Sequence, residues 1–200
     1  MNKGLLIVVS APAGCGKDTI LERVLADNDN IFYSVSATTR AIRPGETDGV
    51  SYYFKSREEF EEMIKNSELL EYTEYCGNYY GTPKKAVMDM LEAGKDVVLK
   101  IEVEGAGNIK KMFPDCVMIF ILPPSIAELD RRLHKRGTET EDVIRKRIET
   151  AKGELTYAVN YDYTIVNGAL EKAIEDFETV VKAEKFRVSR NADLIKEILG

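Results

Sequence analysis

Two hundred residues, 44% of them hydrophobic, can bury one real core, so a single domain with mobile inserts is expected. A formal charge of −6 supplies no field to attract nucleic acid, no apolar stretch approaches membrane-spanning length, and the opening Met-Asn-Lys-Gly lacks the apolar core of a signal peptide. Three cysteines (Cys15, Cys76, Cys116) without metal-ligand spacing suit free thiols in a reducing cytoplasm. The single histidine, His134, sits among Arg131, Arg132, Lys135 and Arg136 as a solvated helix residue, which argues against zinc or His-based nucleophilic chemistry.

The aliphatic run Leu5-Leu-Ile-Val-Val9, the loop Ser10-Ala-Pro-Ala-Gly-Cys-Gly-Lys-Asp-Thr19 and the apolar-periodic Thr19 to Leu25 read as strand, loop and helix. Such a loop turns backbone N–H groups toward a phosphate chain, and the helix N-terminus adds partial positive charge. Gly14 and Gly16 permit the close approach, and Lys17 reaches the terminal phosphates. Ala11, Pro12, Ala13, Gly14, Cys15, Gly16, Lys17, Asp18 and Thr19 are therefore the candidate residues for binding a nucleoside triphosphate, which the resemblance given below makes ATP. The loop departs from G-x-x-x-x-G-K-[ST] at Ala11 and at Asp18, where a magnesium-holding hydroxyl is usual. Asp18 is the candidate Mg²⁺ ligand, although its charge beside triphosphate needs a cation to offset it.

Ile31–Ser36 reads as a short strand, and 37–49 as a loop rich in turn formers. Val50–Phe54 resumes a strand, and Ser56 caps a helix over 57–64. Leu69–Tyr75 and Asn78–Tyr80 read as strands around a turn at Gly77-Asn78, followed by a helix over 84–92 ending at Gly94. The runs 96–103 and 116–122 have the unbroken apolar character of buried parallel strands and flank a helix from about Gly105 to Pro114. Ser125 and Glu128 form a capping box for a helix to about His134. A second helix spans about 137–157, Tyr163–Val166 is a last strand, and a helix covers 169 to about 185. Strands alternating with helices imply an α/β fold with a parallel sheet covered by helices on both faces. The stretch 36–86 breaks the alternation and reads as an inserted mixed α+β lobe.

The motifs together resemble the guanylate kinase family of P-loop nucleoside monophosphate kinases. They are Ser34-Val-Ser-Ala-Thr-Thr-Arg40-Ala-Ile-Arg43-Pro-Gly-Glu, Tyr52-Tyr-Phe54, Glu71 with Gly77-Asn-Tyr-Tyr-Gly-Thr82, Ile101-Glu-Val-Glu-Gly105, Pro123-Pro-Ser125, and Arg132-Leu-His-Lys-Arg136 through Glu141 with Arg147. The resemblance runs from about Leu5 to about Lys185. It implies a core over 1–35, 87–124 and 158–200, a lobe over 36–86 that binds GMP, and a helical lid over 125–157 that closes over ATP. The activity it implies is transfer of phosphate from ATP to GMP, with Mg²⁺, in GMP recycling within purine nucleotide metabolism.

By the same resemblance Arg40 and Arg43 hold the GMP phosphate with Tyr52 and Tyr80, a task for the planar guanidinium fork. Glu71, with Ser36, Thr82 and Glu102, selects guanine. Lys17, Arg43, Arg136 and Arg147 act on the transferring phosphate, and Arg132 and Asn167 lie near ATP. Arg132 and Arg136, four apart on a helix, would equally serve as a solvated face. The alternative for Glu71 is a residue on a wet strand face, and Asn167 would equally serve as a turn residue. Transfer to a phosphate acceptor asks for positioning and charge neutralisation, because the acceptor's second pKa of about 6 leaves it mostly dianionic near neutrality. This fits a chain without a kinase-type catalytic aspartate loop.

Two further departures stand out. Lys100 occupies a position that is usually acidic in the family, and with Asp18 it is read either as a compensating charge swap or as an unrelated change. The tail from Phe186 to Gly200 carries a stripe of Leu194, Ile195, Ile198 and Leu199 that would pack on the core or on a second subunit, so monomer and homodimer both stay open.

Overall fold

A computed structural model describes residues 4–75, 77–135 and 140–200. The first strand, β1 (Leu6–Ser10), is buried along its whole length and is followed by helix α1 (Lys17–Ala26). β2 (Ile31–Ser34), β7 (Asp96–Lys100), β8 (Val117–Leu122) and β9 (Tyr163–Val166) join β1 in a parallel sheet of order β2-β7-β1-β8-β9. Helices cover both faces, as the alternating pattern requires. Successive β1 side chains divide between them. Ile7 and Val9 pack with α1, α5 (Ile126–Lys135), α6 (Glu141–Leu155) and α7 (Leu170–Glu184), whereas Leu6 and Val8 pack with α3 (Lys84–Glu92) and α4 (Val103–Met112).

A second, mixed sheet has the order β4-β3-β6-β5, from β3 (Ala37–Thr38), β4 (Tyr53–Phe54), β5 (Leu69–Tyr75) and β6 (Asn78–Pro83). Helix α2 (Arg57–Lys65) starts at the expected cap, Ser56, which is one half of a full capping box: the Glu59 N–H donates to Ser56 Oγ and the Ser56 N–H donates to the Glu59 carboxylate. Its Phe60 is fully buried and stacks on Tyr79 with ring centroids 5.2 Å apart. Gly81 leaves room for that ring, since a Cβ there would lie 2.9 Å from Phe60 Cζ.

Several boundaries differ from expectation. Residues 37–38, expected in a loop, form β3, and the expected strand 50–54 shrinks to Tyr53–Phe54. The reason is local: Val50 and Ser51 both donate their N–H groups to the Thr47 carbonyl, so that backbone closes a turn on itself. Helix α4 begins at Val103, after Glu102 as N-cap. The expected capping box at Ser125 is half made. Ser125 Oγ accepts the Glu128 N–H at 3.1 Å, while both Glu128 carboxylate oxygens turn to Arg131 and Arg132. The expected helix start at Gly137 lies outside the described residues, as does Cys76.

The C-terminal extension is fastened by charge, not by its apolar stripe. Glu184, 2% exposed, takes Arg187 at 2.8 Å and Arg190 at 3.0 Å, and Arg190 also donates to the Asp115 carbonyl. Beyond it, helix α8 (Ala192–Leu199) leaves Leu194, Ile195, Ile198 and Leu199 exposed, so the stripe does not pack on the core. No helix among the described residues is long and apolar enough to cross a membrane.

Candidate active site

The loop between β1 and α1 takes its shape from two glycines in the left-handed region, Gly14 at φ 92° and Gly16 at φ 80°. A Cβ on Gly14 would lie 2.9 Å from Leu133, and one on Gly16 would lie 2.4 Å from Asn167 Nδ2. Asn167, buried after β9, donates that amide to the Cys15 carbonyl at 2.7 Å. Its side chain is thereby spent on fixing the loop's backbone. Ala11, Pro12 and Cys15 are buried, whereas Ala13, Asp18 and Thr19 are exposed and Lys17 is half-buried. Burial pushes the Cys15 thiol up to about 12, against the pull of Arg132, so it is a small packing residue and not a reactive one.

Asp18 and Lys100 meet. Lys100 ends β7 beside Val9 of β1, and its Nζ lies 2.7 Å from Asp18 Oδ1 in the first turn of α1. Ser10 Oγ ties the same strand ends together by donating to the Ile101 carbonyl at 2.7 Å. The Lys100 ammonium also lies 5.6 Å from the Tyr33 ring centre and 6.0 Å from that of Tyr52. Burial disfavours its charge, but Tyr33, Asp18 and Tyr52 outweigh that and hold its pKa above the ordinary lysine value. The coupled-swap expectation therefore holds in its geometry.

Over the second sheet, Glu71 of β5 is buried and accepts the Thr82 hydroxyl of β6 on Oε1 at 2.7 Å. Its other oxygen faces α4 at Gly105, where a Cβ would lie 2.6 Å away. Burial raises this carboxyl to about 7, against the opposing effect of Thr82. Ser36 is buried where the chain passes from β2 in one sheet to β3 in the other. The Arg40 guanidinium grips Glu46 through two bonds of 2.7 and 3.1 Å and lies 5.3 Å from the centre of the Tyr52 ring, which meets Tyr80 edge-on. Arg43 is exposed, and its N–H donates to Glu46 Oε2 at 2.8 Å. Glu46 is thus a residue that the motif reading passed over, although it ends the same motif as both arginines.

Arg132 bridges Glu128 at 2.8 Å and the Asn167 carbonyl at 2.9 Å, which places it against the donor loop's support. Arg136 lies outside the described residues. Arg147 is half-buried on the inward face of α6, the face that carries Ile144 and Ala151. Glu154 shares that face, seven residues after Arg147. Burial raises it to about 7, with Glu102 adding to the shift and Lys17 opposing it. Sequence reading did not single out Glu154, although the helical spacing from Arg147 marks it. Glu102 itself is exposed at the start of α4.

Comparison with known proteins agrees with this arrangement. The model of the guanylate kinase family matches residues 3–184. A guanylate kinase of Desulfitobacterium hafniense (strain Y51) is 53% identical over 189 residues, covering 94% of each chain. One from Carboxydothermus hydrogenoformans is 52% identical over 190 residues, covering 95% of this chain and 93% of that one. The crystal structure of guanylate kinase from Anaplasma phagocytophilum superposes with a TM-score of 0.80 at 36% identity, over 94% of this chain and 90% of that one. A glycine-shaped loop at the end of β1, a buried carboxylate over a second sheet and near-complete coverage at such identity lead to one assignment: the chain belongs to the guanylate kinase family, whose members are nucleoside monophosphate kinases.

Proposed function

We propose that this chain transfers the γ-phosphoryl group of ATP to GMP, giving ADP and GDP, and so returns GMP to the purine nucleotide pool. The observation that carries the reading is Glu71. One of its oxygens accepts the Thr82 hydroxyl and the other faces the space that Gly105 leaves, so a planar edge bearing two donors suits it. Guanine offers N1–H and a 2-amino group on one edge. Adenine offers neither, and would leave a buried carboxylate unpaired.

In this scheme the loop 11–19 holds the ATP phosphates with backbone N–H groups, and Lys17 neutralises the charge of the terminal ones. Arg40, Arg43, Tyr52 and Tyr80 hold the acceptor phosphate, whose oxygen attacks the γ-phosphorus in line while the bond to the β–γ bridging oxygen breaks. Helices α5 and α6 act as a lid that excludes water, with Arg132 and Arg147 brought toward the phosphates, and Arg136 as a further lid arginine.

Magnesium enters as the companion of ATP. Among the described residues no three His, Cys, Asp or Glu side chains group as a metal site, and Asp18 Oδ1 is already neutralised by an ammonium. These residues suit an ion held by phosphates and water, so we set Asp18 aside as its ligand. The buried free thiols Cys15 and Cys116 suit a reducing cytoplasm.

A coupled assay of ADP formation with GMP, AMP and UMP as acceptors tests the reading. Turnover with GMP far above the other two is expected. A preference for another acceptor, or no turnover in folded protein with MgATP, overturns it.

A further inference from the structure

Lys100 stands where the two halves of the site meet. Its ammonium touches the first turn of α1 through Asp18 at 2.7 Å and lies over Tyr52, whose ring also carries Arg40 at 5.3 Å. Tyr52 is thus flanked by two cations, Lys100 at the end of β7 and Arg40 just beyond β3. The Asp18–Lys100 pair is also unequal: the Lys100 side chain is 22% exposed and that of Asp18 65%. An exposed carboxylate can swing into water at little cost, whereas the half-buried ammonium is held between β7, Tyr33 and Tyr52.

We propose that Lys100 is a phosphate-binding residue of this chain, directed at the acceptor phosphate, and that Asp18 is its positioning partner, holding the ammonium until a nucleotide displaces it. The proposal rests on the phosphotransfer reading above. It assigns Asp18 to occupying a cation site that would otherwise face water as an isolated buried charge. It also gives the acceptor a third cation beside Arg40 and Arg43.

Equilibrium binding of GMP and guanosine to the full chain, without ATP, separates phosphate contacts from base contacts. Lys100→Met should weaken GMP about tenfold or more while leaving guanosine within about twofold, because only the charged contact is lost. Asp18→Asn removes the competitor, so GMP should bind about threefold more tightly, and the gain should vanish in the Lys100→Met background. Guanosine binding reports that each variant is folded. Equal losses for GMP and guanosine in Lys100→Met would make the residue structural and overturn the proposal. So would weaker GMP binding in Asp18→Asn, which would return Asp18 to a direct role at the phosphates. If the parent chain fails to prefer GMP over AMP, the function reading falls and takes this one with it. If the parent prefers GMP and Lys100→Met binds it equally well, only the role of Lys100 falls.

Discussion

In the proposed reaction the donor loop and the acceptor pocket have the same task, holding phosphate, and are built for it in opposite ways. The loop at the end of β1 is set by backbone: two left-handed glycines, a buried Pro12 and Cys15, and the Asn167 amide on the Cys15 carbonyl fix it before any ligand arrives. The acceptor side is set by charged side chains that hold one another, Arg40 with Glu46 and Lys100 with Asp18. A preset loop loses little entropy on binding and takes any triphosphate tail. Self-paired cations must exchange partners, which makes binding there conditional on a ligand that rewards the exchange. On the proposed function, this contrast assigns selectivity to the second sheet.

Lys17→Met tests the donor half most severely. Removing the one loop cation should cut kcat by on the order of 10³-fold with GMP binding intact, measured by steady-state rates and GMP titration.

Glu71→Gln tests the acceptor half. GMP affinity should fall by roughly 10²-fold, and discrimination against AMP should narrow by a similar factor. The pH dependence has a definite sign. The carboxyl is raised to about 7, so its base-accepting form is lost as pH falls through that value. Guanosine, which carries no phosphate to confuse the titration, should bind more tightly as pH rises from 6 to 8, by about tenfold over the whole interval. The same shift means that the folded chain holds a proton that the unfolded chain has released between about 4.5 and 7. Stability tied to Glu71 is therefore full below that window and is lost as pH rises through it. Glu71→Gln should accordingly melt higher than the parent at pH 8 and alike at pH 4.5, which scanning calorimetry would read.

Asn167→Ala removes the strut under the donor loop. A loss of about 1–2 kcal/mol in stability and a several-fold rise in KM for ATP, with KM for GMP unchanged, would keep the two halves separate. A matching rise for GMP would mean that they are not. Ile198→Ser, on the exposed stripe of α8, should alter denaturant stability by less than about 0.5 kcal/mol.

Much of this was legible before any coordinates. The main strands are continuous aliphatic runs, and buried parallel strands have no other simple sequence form. Ser56 reads as the cap of its helix, and the structure adds the reciprocal bond from Glu59. Asp18 and Lys100 could be paired from sequence because two departures of opposite sign fall at the ends of a neighbouring helix and strand. The rest depends on distance. β3 is two residues long and gains its identity from partners at Tyr53 and Gly81. Asn167 acts through a carbonyl 152 residues away, and a carbonyl leaves no trace in a sequence. Glu154 takes its raised pKa from burial and from Glu102, a residue of another element far back in the chain. Glu46 was in plain view, but an acid three residues after Arg43 in a turn-rich loop reads as loop solvation until the bidentate grip on Arg40 is seen.

The register of β1 also bears on how the chain is made. Leu6 to Val9 pair on one side with Val97 to Lys100, and Ile7 to Ser10 pair on the other with Val117 to Phe120. The Leu5 N–H waits for Asp96, and the second carboxylate oxygen of Asp96 waits for Lys185. Both neighbours of β1 therefore follow it by roughly 90 or more residues, a delay of about 5–25 s at ordinary elongation rates. Through that interval an aliphatic segment with two open edges must stay unpaired. Until its middle strands arrive, β1 is the segment of this fold most exposed to wrong pairing.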